Sequence, residues 1–183
     1  MSINCQSHED ALFDSTTIAL PADDQEWVIL HTRPRSEKKA GQAFDREGAV
    51  IYIPLRRKEH RYGGRYRAFW SPLFPGYVFG LFHSKQVHAL KANQYVANVL
   101  RVVDQKGLVH QLRQLQRALA AGAIIEVMPY LEKGKPVRVI GGPFKGVEGI
   151  VERLDKNTKV VISIEMIQQS VFMEVDSAHI EMV

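Results

Sequence analysis

Residues 71–82 read Ser-Pro-Leu-Phe-Pro-Gly-Tyr-Val-Phe-Gly-Leu-Phe, and this stretch decides the fold of the N-terminal part of the chain. Its aromatic and β-branched content from residue 74 onward predicts a strand. Alternate side chains of a strand face opposite sides, so Tyr77 and Phe79 share one face and Val78 takes the other. If helices cover one face, the other presents an apolar pocket open to solvent, which is typical of a protein interface. Packing of these rings in the core is the alternative.

The segments on either side of this strand complete an α/β sandwich. Before it, the sequence predicts strands at 27–32 and 50–55 and a helix at 37–47, with Ser36 at the N-cap position. After it come a helix at 84–92, a strand at 99–103 and a helix at 111–121. The pattern predicts helices packed on a mostly antiparallel sheet over residues 25–121.

The two ends of the chain differ from this domain. Residues 1–24 are polar without periodicity and predict a flexible extension, and residues 122–130 predict a linker. Residues 131–183 predict a small five-stranded β-barrel, in which glycines and polar turns separate the short runs of β-formers. Four of its strands can be placed, at 137–140, 147–152, 159–164 and 170–175. The predicted fold class is therefore α+β.

Positive charge is concentrated in the N-terminal domain. The chain carries a net charge of +4, but residues 33–67 hold eleven Lys or Arg against four Asp or Glu. Residues 56–67 interleave cations with tyrosines around Gly63-Gly64, which predicts a basic hairpin. Such a hairpin can lie along DNA phosphates and stack on exposed bases, with a solvated hairpin as the alternative. The candidate nucleic-acid contacts in it are Arg56, Arg57, Lys58, Arg61, Arg65 and Arg67.

The composition excludes several classes of function. The single cysteine, Cys5, cannot form an intrachain disulfide, which favours a reducing compartment. No apolar run is long enough to span a membrane, and the N-terminus does not resemble a secretory signal. Neither a phosphate-binding loop, nor a metal-spaced His or Cys set, nor a nucleophile motif is present. We therefore expect a cytoplasmic, monomeric protein that is not an enzyme and holds no cofactor or metal.

Two segments resemble the NusG family of transcription elongation factors. Residues 71–79 match the Phe-Pro-Gly-Tyr-Val signature of its N-terminal domain, with Trp27 in the expected opening strand. Residues 133–151 resemble a KOW motif, in which a strand and a glycine-containing turn lead to a second strand with Gly149 at its tight spot. The KOW motif also occurs in ribosomal proteins, so a KOW-containing ribosomal or RNA-associated protein is the alternative.

The resemblance implies a factor that binds the clamp region of RNA polymerase and suppresses pausing or termination. The implied polymerase contacts are His31, Phe74, Pro75, Tyr77, Phe79 and His88. In this family the N-terminal domain lies beside the non-template strand and the upstream duplex. Arg35, Lys38 and Lys39, at the start of the first helix, are therefore further candidates for DNA contact.

Some positions resemble the specialised RfaH-like paralogues of the family. Met166, Ile167 and Gln168 align with the loop that binds a small-subunit ribosomal protein or the terminator Rho, and Ile167 stands where general NusG proteins have phenylalanine. This favours ribosome coupling without Rho, with Ile167 as an exposed anchor; packing in the barrel core and a housekeeping NusG acting with Rho are the alternatives. Ala97 and Asn98 stand near the place of an RfaH-like arginine, so sequence-specific DNA reading is not implied.

Overall fold

A computed structural model describes residues 16–62, 65–123, 126–129, 134–151 and 157–183. The chain forms two compact units, residues 1–105 and residues 106–183. The first unit combines an antiparallel sheet with helices, and strands dominate the second. The predicted α+β class is confirmed.

The N-terminal unit is built on a four-stranded antiparallel sheet. Its elements are β1 (Gln25–Thr32), α1 (Glu37–Arg46), β2 (Val50–Tyr52), β3 (Leu55–Tyr62), β4 (Arg65–Pro72), β5 (Tyr77–His83), a 3₁₀ helix (Val87–Ala92) and β6 (Val96–Arg101). The strand order is β2-β5-β1-β6, and β3 and β4 form a separate two-stranded sheet. The predicted strand 50–55 is interrupted near Pro54, which has no N–H to donate to a ladder. The predicted helix at 84–92 is shorter and of the 3₁₀ type.

The two faces of this sheet follow the alternation of β1 and β5. Val28, Leu30 and Val78 belong to a hydrophobic core that also includes Phe44 of α1 and Leu90 of the 3₁₀ helix. Trp27, Ile29 and Phe79 alternate with them and are also fully buried. The prediction that Val78 and Phe79 face opposite sides is therefore confirmed.

Residues 16–22 are fastened to this unit. The Thr16 hydroxyl donates to the Ile51 carbonyl at 2.6 Å, and Ile18 is buried. The indole N–H of buried Trp27 donates to the Ala19 carbonyl at 2.8 Å. The prediction of a loose extension is wrong for this stretch, because a buried indole needs a hydrogen-bond acceptor and the stretch supplies it. Residues 1–15 lie outside the described part.

The C-terminal unit is a six-stranded antiparallel sheet with one long helix. Its elements are α2 (Gln105–Ala120, whose first residue belongs to the N-terminal unit), β7 (Glu126–Pro129), β8 (Lys135–Val139), β9 (Glu148–Val151), β10 (Asn157–Ile164), β11 (Gln169–Asp176) and β12 (Ile180–Met182), with 3₁₀ turns at Glu165–Ile167 and Ser177–His179. The order is β12-β8-β9-β10-β11-β7. Five strands were expected. Strand β7 comes from the predicted linker, where Val127 pairs with Val171 of β11.

Gly149 has the position in β9 that the KOW resemblance implied. A Cβ at this residue would clash with the Val161 carbonyl oxygen of β10. Ile150 and Val161 are register partners here, so the two backbones approach closely beside the glycine. The tight spot expected at Gly149 is confirmed, because only a residue without a side chain fits there.

Candidate functional site

Residues 74–77 form a β-turn that leads into β5. The Tyr77 N–H donates to the Phe74 carbonyl at 3.2 Å, which closes the turn. Pro75 is its second residue, and Gly76 is its third with a φ of +86°. Proline at the second position and a glycine with positive φ at the third are the signature of a type II turn. The Phe-Pro-Gly-Tyr motif is therefore a turn and not, as predicted, the first part of a strand.

Contacts from β1 and α1 hold this turn. The Thr32 N–H donates to the Gly76 carbonyl at 2.8 Å, and the Gly76 N–H donates to Glu37 Oε1 at 2.7 Å. His31 pairs with Tyr77 across β1 and β5, and their rings stack with centroids 5.3 Å apart at 29°. The ring of His31 also lies over Gly76, because a Cβ there would be 3.6 Å from it.

The predicted polymerase contacts divide between solvent and core. His31 and Pro75 are exposed and Tyr77 is half-buried; we call these three residues the turn surface. Phe74 and Phe79 are 1% and 0% exposed. The prediction of an aromatic pocket open to solvent is wrong for these two rings in this conformation. Their T-shaped pair, with centroids 6.4 Å apart, instead fixes the turn on the core.

His88 lies on a different element from the turn surface. It is exposed on the 3₁₀ helix, whose Val87 and Leu90 are buried. Within the described residues, no ring contact or hydrogen bond joins His88 to His31 or Tyr77. The structure therefore brings His31, Pro75 and Tyr77 together and leaves His88 apart from them.

The register of the β3–β4 hairpin sorts its side chains onto two faces. Arg57 pairs with Trp70, Lys58 with Phe69 and Arg61 with Tyr66. Paired residues of an antiparallel ladder share a face, and successive pairs alternate. We call one face the inner face, because its residue Trp70 packs against the hydrophobic core, and the other the outer face. The inner face holds residues 57, 59, 61, 66, 68 and 70, and the outer face holds residues 56, 58, 67, 69 and 71.

The inner face has its charges and rings engaged. Arg57 forms an ion pair with Glu59 at 3.0 Å. The guanidinium carbon of Arg61 lies 5.9 Å from the centroid of the Tyr66 ring. Trp70 packs against the hydrophobic core. Arg57, Arg61 and Tyr66 are exposed, and each already has a partner within the hairpin.

The outer face presents free cations and an exposed ring. Lys58 and Arg67 are exposed, and Phe69, directly opposite Lys58, is 45% exposed. Within the described part of the chain, no ion pair engages Lys58 or Arg67. Arg56 is half-buried, and its Nε has no hydrogen-bond partner among the described residues. The side chain of Arg65 lies outside the described residues.

The cations near α1 have different surroundings. Arg35 and Lys39 are exposed, and Arg35 has a φ of +58°. Lys38 is half-buried and donates from Nζ to the Trp70 carbonyl at 3.0 Å, so its ammonium group already has a partner within the N-terminal unit, and its contact with the non-template strand stays a prediction. Arg101 of β6 is also engaged. Its guanidinium donates to Glu26 Oε1 at 2.6 Å, and this hydrogen bond and the attraction of the Glu26 charge raise the pKa of Arg101 above its ordinary value.

The predicted ribosome-binding loop is the 3₁₀ turn between β10 and β11. Met166 is 38% exposed, Ile167 only 6%, and Gln168 is exposed with a φ of +52°. The prediction of Ile167 as an exposed anchor is wrong, because the tight turn directs it inward and Met166 outward. Core packing, the alternative, is what the structure shows for Ile167.

Glu37 holds the candidate turn, and the sequence patterns did not single it out. It is 8% exposed, and its carboxylate accepts the Gly76 N–H from 39 positions away. A signal existed: a type II turn bonds only the N–H of its fourth residue internally, so the Gly76 N–H needed a partner. Phe69 was also left out of the predicted contacts, although alternation with Lys58 and Arg67 places it on their face.

The described residues contain no group of three or more His, Cys, Asp or Glu side chains that could hold a metal ion. No described helix is long and apolar enough to cross a membrane.

Two family models match this chain and together define the class of protein to which it belongs. A KOW motif model matches residues 133–165, so the C-terminal unit contains a KOW motif. A family model described as "NusG: Transcription termination factor nusG" matches residues 25–119, more than half of the chain. The chain therefore belongs to the NusG family of transcription factors. A ribosomal KOW protein would not explain the match to the N-terminal residues.

One curated relative and one solved structure are also similar to this chain. The chain is 24% identical to "Transcription termination/antitermination protein NusG" of Borreliella burgdorferi (strain ATCC 35210 / DSM 4680 / CIP 102532 / B31), over 85% of this chain and 97% of the relative. The crystal structure of an MjSpt4:Spt5 complex in conformation B matches with 15% identity, over 86% of this chain and 96% of that one. Its TM-score of 0.28 is too low to support a further conclusion.

Proposed function

We propose that this protein binds the clamp region of RNA polymerase through the turn surface and suppresses pausing or termination. The match to the NusG model across the N-terminal unit carries the proposal. The geometry supports it: Pro75 and Tyr77 belong to a turn that hydrogen bonds from two other elements hold, and the His31 ring of β1 stacks on the Tyr77 ring. Rigid aromatic side chains at the surface lose little entropy on binding and often dominate an interface.

The buried rings of Phe74 and Phe79 restrict the proposal to fewer residues. In this conformation the clamp would meet His31, Pro75 and Tyr77, while Phe74 and Phe79 support them from the core. The factor can shift the clamp toward its closed state, and so reduce pausing, only if it binds the closed state more tightly than the open state. The proposal therefore needs a difference in affinity between the two clamp states.

The outer face of the hairpin is the proposed contact with the non-template strand or the upstream DNA. Lys58 and Arg67 are exposed and can neutralise phosphates, and Phe69 offers a ring on which a base can stack. Arg35 and Lys39 extend the set of exposed cations. Release of counterions from the phosphates makes such binding weaken as salt concentration rises.

We also propose a specialised, RfaH-like role in antitermination, with ribosome coupling through the turn at 165–168 and without Rho. The support is the replacement of the family's phenylalanine by Ile167. Because Ile167 is buried, Met166 is the side chain that would meet a small-subunit ribosomal protein. The proposal places the protein in the cytoplasm, on transcribing polymerase.

The test compares Tyr77→Ala and His31→Ala with His83→Ala. His83 is an exposed histidine at the opposite end of the same β1–β5 strand pair, so it is a matched control for His31. We expect Tyr77→Ala and His31→Ala to weaken polymerase binding by roughly tenfold or more, as is usual for interface aromatics. His83→Ala should bind like the wild type.

Binding is measured by titration with fluorescently labelled polymerase, and function by pause lifetimes during transcription in vitro. Wild-type protein should shorten the pauses, and Tyr77→Ala should restore them. A wild-type protein that leaves pause lifetimes unchanged, or three variants with equal affinity, would overturn the proposal.

A further inference from the structure

The first turn of α1 makes hydrogen bonds to the backbone next to both proposed contact surfaces. Its neighbouring residues Glu37 and Lys38 hold the two ends of segment 70–76, which joins the hairpin to the turn surface. Glu37 Oε1 accepts the Gly76 N–H at 2.7 Å, and Lys38 Nζ donates to the Trp70 carbonyl at 3.0 Å. We call these two hydrogen bonds the α1 tethers. Because neighbouring helix residues differ by about 100° in direction, one turn can reach both ends of the segment.

The Glu37 tether supplies an acceptor for the Gly76 N–H, which has no hydrogen-bond partner within the type II turn. The turn's internal hydrogen bond uses the Tyr77 N–H, so the Gly76 N–H needs an acceptor elsewhere. A carboxylate is a strong acceptor, and at the first position of a helix its negative charge is also favoured by the helix dipole. The side chain is buried, so water competes little for this hydrogen bond.

The Lys38 tether acts near the base of the hairpin, where Trp70 of β4 packs on the core of the N-terminal unit. Trp70 packs against the hydrophobic core, and its carbonyl accepts a hydrogen bond from the ammonium group of Lys38. Its register partner is Arg57, so the fixed point lies at the base of the ladder whose outer face carries Lys58 and Phe69. The hydrogen bond from Lys38 therefore joins β4 to α1 at this point.

We propose that Glu37 and Lys38 are positioning residues that fix the turn surface and the hairpin in one orientation, so that polymerase and DNA are engaged together. The proposal rests on the proposed function. When two binding surfaces belong to one rigid body, the first contact raises the effective concentration of the second. A loosened Glu37 tether lowers this gain without removing any residue of the turn surface or of the outer face.

The experiment uses the full chain and the variants Glu37→Ala, Glu37→Gln and Lys38→Met. Glu47→Ala removes an exposed acid at the other end of α1, and Lys91→Met removes an exposed cation on the 3₁₀ helix, so they are matched controls. The first readout is amide hydrogen exchange of Gly76 by NMR, with the ring signals of His31 and Tyr77. Polymerase affinity and crosslinking of the hairpin to DNA in a transcription complex are the second and third.

Glu37→Ala should speed exchange at Gly76, shift both ring signals and weaken polymerase binding by roughly tenfold, the scale of one charge-assisted hydrogen bond. Glu37→Gln keeps an acceptor and should recover most of the affinity. Lys38→Met should leave Gly76 exchange and polymerase affinity unchanged and reduce the DNA crosslink severalfold. Both controls should match the wild type in all readouts.

Two results would overturn the positioning role. One is unchanged Gly76 exchange in Glu37→Ala; the other is faster exchange throughout the N-terminal unit, since that would mark general destabilisation. If Gly76 is freed but affinity stays at the wild-type level while Tyr77→Ala loses it, the positioning role is wrong and the proposed function stands. If Tyr77→Ala also binds like the wild type, the proposed function is wrong, and the positioning role with it.

Discussion

The turn at 74–77 and the turn at 165–168 are both predicted contact points, and the structure builds them differently. Residues from β1 and α1 hold the first turn, by way of the Thr32 N–H and the Glu37 carboxylate. The second is closed mainly by its own atoms: the backbone N–H and the side-chain amide of Gln168 both donate to the Glu165 carbonyl, at 3.0 and 2.8 Å. Gln111 adds one long hydrogen bond of 3.4 Å to the Glu165 N–H.

The comparison shows that a motif that marks a predicted contact surface can include buried residues, which do not touch the partner themselves. In both turns the motif contains a buried half, Phe74 and Phe79 in one and Ile167 in the other, which fixes the exposed half. The geometry of the first turn depends on the surrounding unit, whereas that of the second is largely local. Substitutions in the two turns should therefore differ in how far their effects extend.

The largest effect is expected from Phe79→Ala. Its ring is fully buried and packs against Phe74 and Tyr52, with centroid distances of 6.4 and 6.3 Å. Removing it should lower the free energy of unfolding by about 3–5 kcal/mol. Urea denaturation followed by tryptophan fluorescence reports this unit alone, since both tryptophans, Trp27 and Trp70, belong to it. Tyr66→Ala, on an exposed ring, is the control, and a loss of stability as small as the control's would refute the supporting role.

A smaller, local effect is expected from Ile167→Ala. The side chain is buried in the C-terminal unit, and its truncation should cost about 2–4 kcal/mol. Amide exchange of β10 and β11 should speed up, while tryptophan fluorescence of the N-terminal unit stays unchanged. The neighbour Met166→Ala removes an exposed side chain and should change stability by less than about 0.5 kcal/mol. Equal effects of the two variants would contradict the inward placement of Ile167.

The smallest effect on stability is expected from Gly76→Ala. Its φ of +86° costs a residue with a Cβ about 1–2 kcal/mol, while the 3.6 Å contact with the His31 ring is sterically ordinary. Because the turn is held from outside, we expect the strain to reach the His31 and Tyr77 ring signals and to weaken polymerase binding. Gln168→Gly, at a residue with positive φ in the other turn, should leave the N-terminal unit unchanged. Unaltered ring signals in Gly76→Ala would contradict this expectation, because they would show that the geometry of the first turn, like that of the second, depends mainly on its own atoms.

Much of the fold could be predicted from local patterns. The Trp27 strand, the α1 helix and the β5 strand follow from apolar periodicity, and Gly149 from the strand–turn–strand pattern of the KOW motif. Strand β7 was missed because it is short and lies where only a connection was expected. Its pairing with β11 is a contact between segments distant in sequence, which no local pattern contains.

By itself, the sequence determined the α+β class and the two motifs that resemble the NusG family, because periodicity and turn chemistry are properties of short stretches. Only the tertiary structure decided which motif residues face solvent, and how the charges of the hairpin divide between its faces. A one-residue shift of β3 against β4 would move Lys58 to the inner face and Arg57 to the outer face. The partners of Glu37 and Lys38 were likewise set by contacts across more than thirty residues, which become visible only when the chain is folded.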